Sequence, residues 1–443
     1  MPSSFNPAAE IGKIVLKIAI DEAWKAITKK KSPEETLMEI KGIIDKLDSR
    51  VASLQVSIDK IQFTVLSQDF FNTVKDTKRI ADQIENELAN LAKKASGDET
   101  DYHSDEILQD HYNKYVIATR GCSFLVDSIL GAMRGVSETS HFQPSTLNAY
   151  SDYLLSSATT SEVDLKQYVE LMTELAGLAV NTLLRLYYIF AACEDWSHNK
   201  KENILQKPLG YSREQLIDSI NKAAAEIWDN LRNAHPQAFT LYYQIYVGRE
   251  QPTYYIVQKQ SRHALDSTEG RDRIDGSALV MDQPAVYIDW EQAPGNTHQQ
   301  WKLSAAGEYD VSISTALPSQ ARLGVIRYTC HYVDKVIDWQ GNYKSAHKSI
   351  DRELISIAKP NDTKYNGQDD FAGRTTWRIL LTPEKDYFMF KNRHMNCVLD
   401  GDASVQDKPA EGDNYGRYQR LQLYCAFPAV TPNDYKSWKL IPA

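Results

Sequence analysis

The sequence predicts a multidomain α plus β protein: an elongated all-α helical bundle over residues 1–250, then an all-β domain over 251–443. Three observations carry this. Proline and glycine are unevenly spread, with six prolines and nine glycines before residue 251 and ten and eleven after it. No proline lies between Pro33 and Pro144, or between Pro144 and Pro208, and runs without it permit long helices. After residue 250 the chain alternates short apolar runs with turn clusters such as Ala293-Pro294-Gly295-Asn296, Lys359-Pro360-Asn361-Asp362 and Glu411-Gly412-Asp413-Asn414, the pattern of an all-β domain. The boundary is expected near Gly248–Pro252.

At 443 residues with 42% apolar and 25% charged residues, the chain has the composition of a soluble globular protein rather than a disordered, collagenous or polytopic membrane chain. Net charge is −9, which argues against a broad electrostatic grip on nucleic acid. Residues 1–250 carry 27 basic against 35 acidic residues, and the remainder 23 against 24, so the acidity belongs to the helical part. The first residues, Pro-Ser-Ser-Phe-Asn-Pro-Ala-Ala-Glu-Ile-Gly-Lys after Met1, show no basic stretch before an apolar one. No secretory signal is therefore expected; a protein that is cytosolic in its producer, or released by a non-classical route, fits.

In the helical part, Ser32-Pro33-Glu34-Glu35 marks a helix start with a capping box. Ile40, Ile44, Leu47, Val51, Leu54, Ile58, Ile61 and Val65 then follow at spacings 4-3-4-3-4-3-4, a coiled-coil seam. Weaker periodicity runs through Val74, Ile80, Ile84, Leu88 and Leu91 and stops at Ser96-Gly97-Asp98. A continuous helix over 33–95 would be about 95 Å long. Further helices are expected at about 8–30, 104–134, 146–157, 161–197 and 212–247.

Leu171–Ala192 is the most apolar helical stretch, and its Leu171, Leu175, Leu178, Leu183, Leu186 and Phe190 are the candidate membrane-inserting residues. It is long enough to span a bilayer. It also holds Glu174, Asn181 and Arg185, costly at mid-membrane, and a helix buried in a bundle satisfies the same composition. Phe124–Val136 is a second apolar stretch, interrupted by Gly131 and Gly135 and preceded by Gly121.

Residues 251–443 repeat weakly three times. Each third ends in a tryptophan followed by a basic and an apolar residue: Gln299-Gln300-Trp301-Lys302-Leu303, Thr375-Thr376-Trp377-Arg378-Ile379 and Lys436-Ser437-Trp438-Lys439-Leu440. Each is expected to open with a strand leading to an apolar-Asp pair, Tyr255-Ile256-Val257 to Leu265-Asp266, Tyr328-Thr329-Cys330 to Ile337-Asp338 and Phe388-Met389-Phe390 to Leu399-Asp400. Three such units imply pseudo-threefold symmetry around shared tryptophans.

These motifs resemble the ricin-B-type β-trefoil lectins, whose lobes carry a Gln-x-Trp signature. Gln299-Gln300-Trp301 meets it; the other two thirds replace the glutamine with Thr375 and Lys436. The resemblance covers residues 251–443 and implies a C-terminal β-trefoil that binds glycans through shallow pockets. In each, an aspartate would accept from sugar hydroxyls, an aromatic ring would stack on the sugar, and a polar pair would precede the tryptophan. Carried over, the first lobe offers Asp266, Trp290, His298 and Gln299, and the third Asp400 and Tyr424. The second offers Asp338 but no stacking aromatic, so it is expected to be inactive. The bland alternative makes the aspartates turn caps and Trp290 a half-buried strand residue.

The sequence contains no phosphate-binding glycine loop, zinc-protease helix motif or nucleophile elbow. The ten histidines show no ligand spacing, and the five cysteines form no Cys-x-x-Cys. A non-enzyme without metal or cofactor is expected. The bundle resembles α-helical pore-forming toxins in architecture only. The expected function is thus a lectin-targeted, pore-forming defence protein whose partners are cell-surface glycans, then membrane lipid, with homo-oligomerisation through the seam. The alternative is a non-lytic lectin or adaptor with a coiled-coil oligomerisation domain.

Overall fold

The computed structural model describes residues 38, 40–46, 65–96, 103–118, 121–138, 141–143, 145–158, 162–200, 212–248, 250–260, 262, 264–267, 286–289, 295–318, 320–337, 343–358, 371–400, 419–420, 432, 434 and 436–443. The chain is mixed, with helices mostly in its first part and antiparallel sheet in its C-terminal part. Two compact units divide it. One holds Met1–Asp152 and Val169–Phe239; the other holds Tyr153–Tyr168 and Thr240–Ala443. The second unit thus takes two stretches, 153–168 and 240–250, from the N-terminal side of the expected boundary.

In the helical unit, Ile40 and Ile44 are buried; the rest of the long seam, Leu47–Ile61, lies outside the described residues, as does the helix expected at 8–30. Helix α1 spans Val65–Ala95. Phe70, Val74, Thr77, Ala81 and Ile84 are buried along it at 4-3-4-3 spacing, one face of a helix. Leu88 and Leu91 are only half-buried, and the helix ends where Ser96 N–H turns back to Ala92 and Lys93 carbonyls.

The single helix expected over 104–134 is two. Helix α2 spans Ser104–Tyr112 and runs into a π turn, Asn113–Ile117; α3 spans Cys122–Arg134. Gly121 makes the break possible, because a Cβ there would lie 2.4 Å from the Tyr115 carbonyl oxygen. A short hairpin follows, β1 Val136–Glu138 with β2 His141–Gln143, then α4 Thr146–Ser157 and the 35-residue α5 Leu165–Asn199.

The helix expected over 212–247 is also broken. Helix α6 spans Arg213–Ala234, opened by a capping box between Ser212 and Gln215. Helix α7 starts at Pro236 and runs to Tyr242, with a π turn over Tyr243–Val247. Proline at 236 removes a donor and drives its predecessor out of helical geometry; His235 sits at φ −157°, ψ 80°. Arg213 clasps the end of α5, with Nε donating to Glu194 Oε2 at 2.7 Å and Nη2 to Asp195 Oδ1 at 2.6 Å. Cys122 and Cys193 are buried free thiols, and burial pushes the Cys193 thiol up to about 12.

The sheet unit is built from β3 Thr253–Gln258, β4 Ala264–Ser267, β5 Val286–Asp289, β6 Gln300–Ala305, β7 Val311–Thr315, β8 Arg322–Ile337, β9 Tyr343–Ala358, a helical turn α8 Phe371–Arg374, β10 Thr376–Leu381, β11 Phe388–Asn392, β12 Cys397–Val398, β13 Gln419–Arg420 and β14 Trp438–Pro442. Six strands close a ring by antiparallel pairing: β3 with β6, β6 with β7, β7 with β10, β10 with β11, β11 with β14, and β14 back to β3. Closure leaves no ring edge unpaired.

The register repeats three times around this ring. Trp301 lies opposite Thr315, Trp377 opposite Asn392 and Trp438 opposite Gln258. Two residues on, Leu303 faces Ile313, Ile379 faces Phe390 and Leu440 faces Ile256. All twelve of these side chains are buried. The backbone repeats as well: Ala316, Arg393 and Lys259 each donate N–H to the carbonyl before a tryptophan, at 2.9, 3.1 and 2.9 Å. Each buried tryptophan contributes on the order of 3–5 kcal/mol relative to alanine.

This register corrects the opening of the second repeat. It begins at β7, with Ile313 in the place of Ile256 and Phe390, and not at Tyr328-Thr329-Cys330, which lies in β8. The strands β8 and β9, 16 residues each, form one antiparallel hairpin that stretches the middle repeat and displaces the expected spacing.

The stretches 153–168 and 240–250 are fastened to the ring itself. Leu381 N–H donates to the Val163 carbonyl at 2.8 Å, Asp164 and Leu380 form an antiparallel bridge, Lys391 pairs with Glu162, and Tyr254 Oη donates to Gln244 at 2.7 Å. Beside them Asp310, buried, accepts from Arg378 at 3.2 Å and Arg393 at 2.8 Å.

Candidate functional site

The three tryptophans set the frame of the candidate glycan site. Trp301 Nε1 donates to the Leu265 carbonyl at 2.8 Å, Trp377 to Leu323 at 2.8 Å and Trp438 to Leu399 at 2.9 Å. A buried indole needs an acceptor, and the same backbone position supplies it each time. The residue after that leucine is Asp266 in the first repeat, Gly324 in the second and Asp400 in the third. Glycine therefore stands at the aspartate's place in the second repeat. Its neighbourhood is closed: a Cβ at Gly324 would lie 2.9 Å from Thr375 Cγ2 and 3.3 Å from the Arg374 oxygen. Asp338 lies outside the described residues.

Around Asp266 the chain builds a tight turn. Gly295 takes φ +82°, a conformation that favours glycine, and its N–H donates to Tyr255 Oη at 3.0 Å. Gln300 Nε2 donates to the same hydroxyl at 3.1 Å. Asn296 caps the 3₁₀ turn Thr297–Gln299, accepting from His298 N–H at 3.1 Å, and its amide donates to Asp266 Oδ2 at 3.5 Å. The His298 Nδ1 is closed to solvent and has no hydrogen-bond partner among the described residues.

Of the residues expected here, Asp266 and His298 are brought onto adjoining elements. Asp266 is 2% exposed and Gln299 fully buried, so Gln299 supports the turn from inside. Asp400 is 7% exposed at the corresponding place of the third repeat, with Lys436 buried nearby in sequence to Trp438. Trp290 and Tyr424 lie outside the described residues. Asn296 and Tyr255 were not anticipated. Pro294-Gly295-Asn296 was legible as a turn, but only its hydrogen bonds tie it to Asp266.

In the helical unit, α5 is, among the described residues, the helix long and apolar enough to cross a membrane, and its most apolar 18 residues are wholly buried. Leu175, Leu178, Leu183, Leu186 and Phe190 are buried, while Leu171 is half-buried. Asn181 and Arg185 are buried among them. Burial, then Glu170, pushes the Glu174 carboxyl upward. No group of three or more metal-ligating side chains occurs among the described residues.

No protein-family model matches the sequence, and no curated protein matches it significantly. Among solved structures, the chain is similar to a designed 3-fold symmetric protein, ThreeFoil, at 16% identity and a TM-score of 0.25, covering 43% of this chain and 99% of that one. It is also similar to a salivary protein from Culex quiquefasciatus of the Cysteine and Tryptophan-Rich family, at 13% identity and a TM-score of 0.26, covering 45% and 99%.

Proposed function

We propose that the chain is a lectin-targeted, membrane-damaging protein. In this reading the sheet unit is a β-trefoil of the ricin-B type that recognises cell-surface glycans, and the helical unit rearranges to insert α5. The observation that carries the lectin half is the threefold recurrence of tryptophan bound to the leucine carbonyl, with an aspartate following that leucine in two repeats. Glycan hydroxyls reach Asp266 by displacing the Asn296 amide, whose 3.5 Å contact is at the long limit of a hydrogen bond. His298 supplies a second polar group, and Trp290 is the stacking face that the lectin resemblance implies. Gly324 leaves the second repeat without a carboxylate. Asp400 and Tyr424 are the residues that the lectin resemblance assigns to the third repeat. Weak single sites gain strength by multivalent display.

The membrane half rests on α5: a helix that stores apolar surface inside a soluble unit needs only a few kcal/mol between two packings to switch. Its complete burial equally suits a core helix that never leaves, which supports the second reading, a non-lytic lectin or adaptor.

The test is to add the protein to glycan-bearing liposomes and follow dye release alongside glycan-array binding. Release that is lost in Leu178→Asp or Leu183→Asp while glycan binding persists supports the toxin. Binding without release under neutral, acidic or protease-treated conditions leaves the adaptor. Absence of any glycan binding overturns the toxin and the lectin form of the second reading.

A further inference from the structure

His111 stands at the end of α2, 8% exposed, and neither of its ring nitrogens has a hydrogen-bond partner among the described residues. Its ring stacks on Tyr115 with centroids 5.9 Å apart. The charges that face it are Asp110 and Lys114 on its own helical stretch and Arg79 and Glu87 on α1. Two are negative and two positive, so an added proton meets no net compensation. The two on α1 are also engaged elsewhere: Glu87 accepts from Ser104 at 2.6 Å, and Arg79 pairs with Asp76 at 3.7 Å. Burial holds the imidazole below the ordinary histidine range, with Asp110 opposing and Lys114 and Arg79 adding to the effect. An unpartnered buried imidazole costs stability that an apolar side chain of similar size would not.

We propose that His111 is an acid trigger of the helical unit: on taking up a proton it places an uncompensated charge between α1 and α2 and frees the end of α5. The purpose assigned to this trigger rests on the membrane-damaging reading; its physics does not. Helix α2 holds the end of α5 through Trp196 Nε1 donating to Asp105 at 3.2 Å, the Lys200–Asp105 pair at 2.8 Å and the edge contact of Tyr112 on Trp196. Because the closed state disfavours protonated His111, the opened state binds more protons, and stability falls as pH drops below about 6.5, the ordinary histidine value. Glu174 acts differently. Its raised carboxyl favours the closed state on acidification, but its protonation removes a charge from α5 and lowers the cost of moving that helix into lipid.

The experiment follows opening of the full chain by limited proteolysis and near-ultraviolet circular dichroism from neutral to about pH 4.5, for the natural sequence, His111→Gln and His111→Phe. The expected result is an opening midpoint moved to lower pH by about one unit or more in both variants. An unchanged midpoint overturns the trigger. If neither variant folds, the ring-proton titration of His111 in the natural chain decides: a midpoint below that of an exposed histidine supports the proposal, and one at or above it overturns it. Vesicle leakage is read separately. A shifted opening with no leakage at any pH sinks the membrane reading and keeps the trigger; leakage with an unshifted opening does the reverse.

Discussion

Trp377 and Leu323, 54 residues apart in sequence, are joined by one 2.8 Å hydrogen bond from indole to carbonyl. The same bond spans 36 residues in the first repeat and 39 in the third. The middle repeat keeps the contact although the chain between its ends is longer by the extended β8–β9 hairpin. Trp377→Phe keeps most of the ring but orphans the buried Leu323 carbonyl. It is expected to cost about 1–3 kcal/mol, read as a shift in urea midpoint; no shift would mean that the carbonyl finds another donor.

The middle repeat cannot be given an aspartate. Gly324→Asp forces a Cβ against Thr375 Cγ2 at 2.9 Å, and overpacking of this kind costs about 1–3 kcal/mol. The expected outcome is a lower Tm and no new glycan binding. A stable variant with added binding would show that the closed backbone is not what separates this repeat from the others.

Asp266→Asn and Asp400→Asn separate the two carboxylate-bearing repeats. Each is expected to lower glycan-array signal while lowering Tm by only a few degrees, because asparagine keeps the size of the side chain and one of its two acceptor oxygens. Together they are expected to abolish binding. Unchanged binding in the double variant places recognition elsewhere.

Asp310 is a buried carboxylate held by two arginines. Asp310→Asn leaves Arg378 and Arg393 facing a neutral partner. Both arginines retain access to water, so the cost is expected near about 2 kcal/mol, below that of breaking a wholly buried pair. Chemical denaturation measures it; a loss under a few tenths would assign the cluster no role in holding the ring.

Asp105 supplies a second pH dependence at a different range. Burial alone would raise its carboxyl, but hydrogen bonds from Lys200 and Trp196 outweigh this and lower it. Its folded value lies below its unfolded one, so its contribution is present at neutral pH and is lost as pH falls through the acidic carboxylate range. Asp105→Asn is expected to flatten the stability curve there while leaving the histidine-range transition in place. Thermal melts across the acidic range read the difference.

Much of the sheet unit was legible because its signal is local. Tryptophan, a basic residue and an apolar residue recur within three positions, and all three tryptophans are fully buried at equivalent register. The start of the second repeat was not legible. Leu323-Gly324 lacks the aspartate that marks the other two, and the 16-residue strands β8 and β9 push Ile337-Asp338 into the place where the spacing looks for it. Helix breaks were half legible. Pro236 lies inside the stretch expected to be one helix and ends α6 there; Gly121 was visible as an interruption, but its close approach to the Tyr115 carbonyl, six residues back, fixes the break only once the turn has formed. The Asp266 surroundings were half legible: the aspartate by its position after leucine, Asn296 and Tyr255 only through their bonds.

The bond from Leu381 to Val163 and the one from Tyr254 to Gln244 have a topological meaning. The chain visits the sheet unit before it makes α5 and α6, then returns to stay. Residues 169–239 are therefore an excursion pinned at both of its ends, not a tail. A recombinant fragment beginning at 251 would lack both pins and is a poor stand-in for the recognition unit. A fragment that keeps them must also keep the loop they enclose. The two halves of this protein are thus inseparable by a single cut, and any large displacement of α5 begins with a choice between carrying along Val163 and Asp164, just before its first turn, and tearing them from β10.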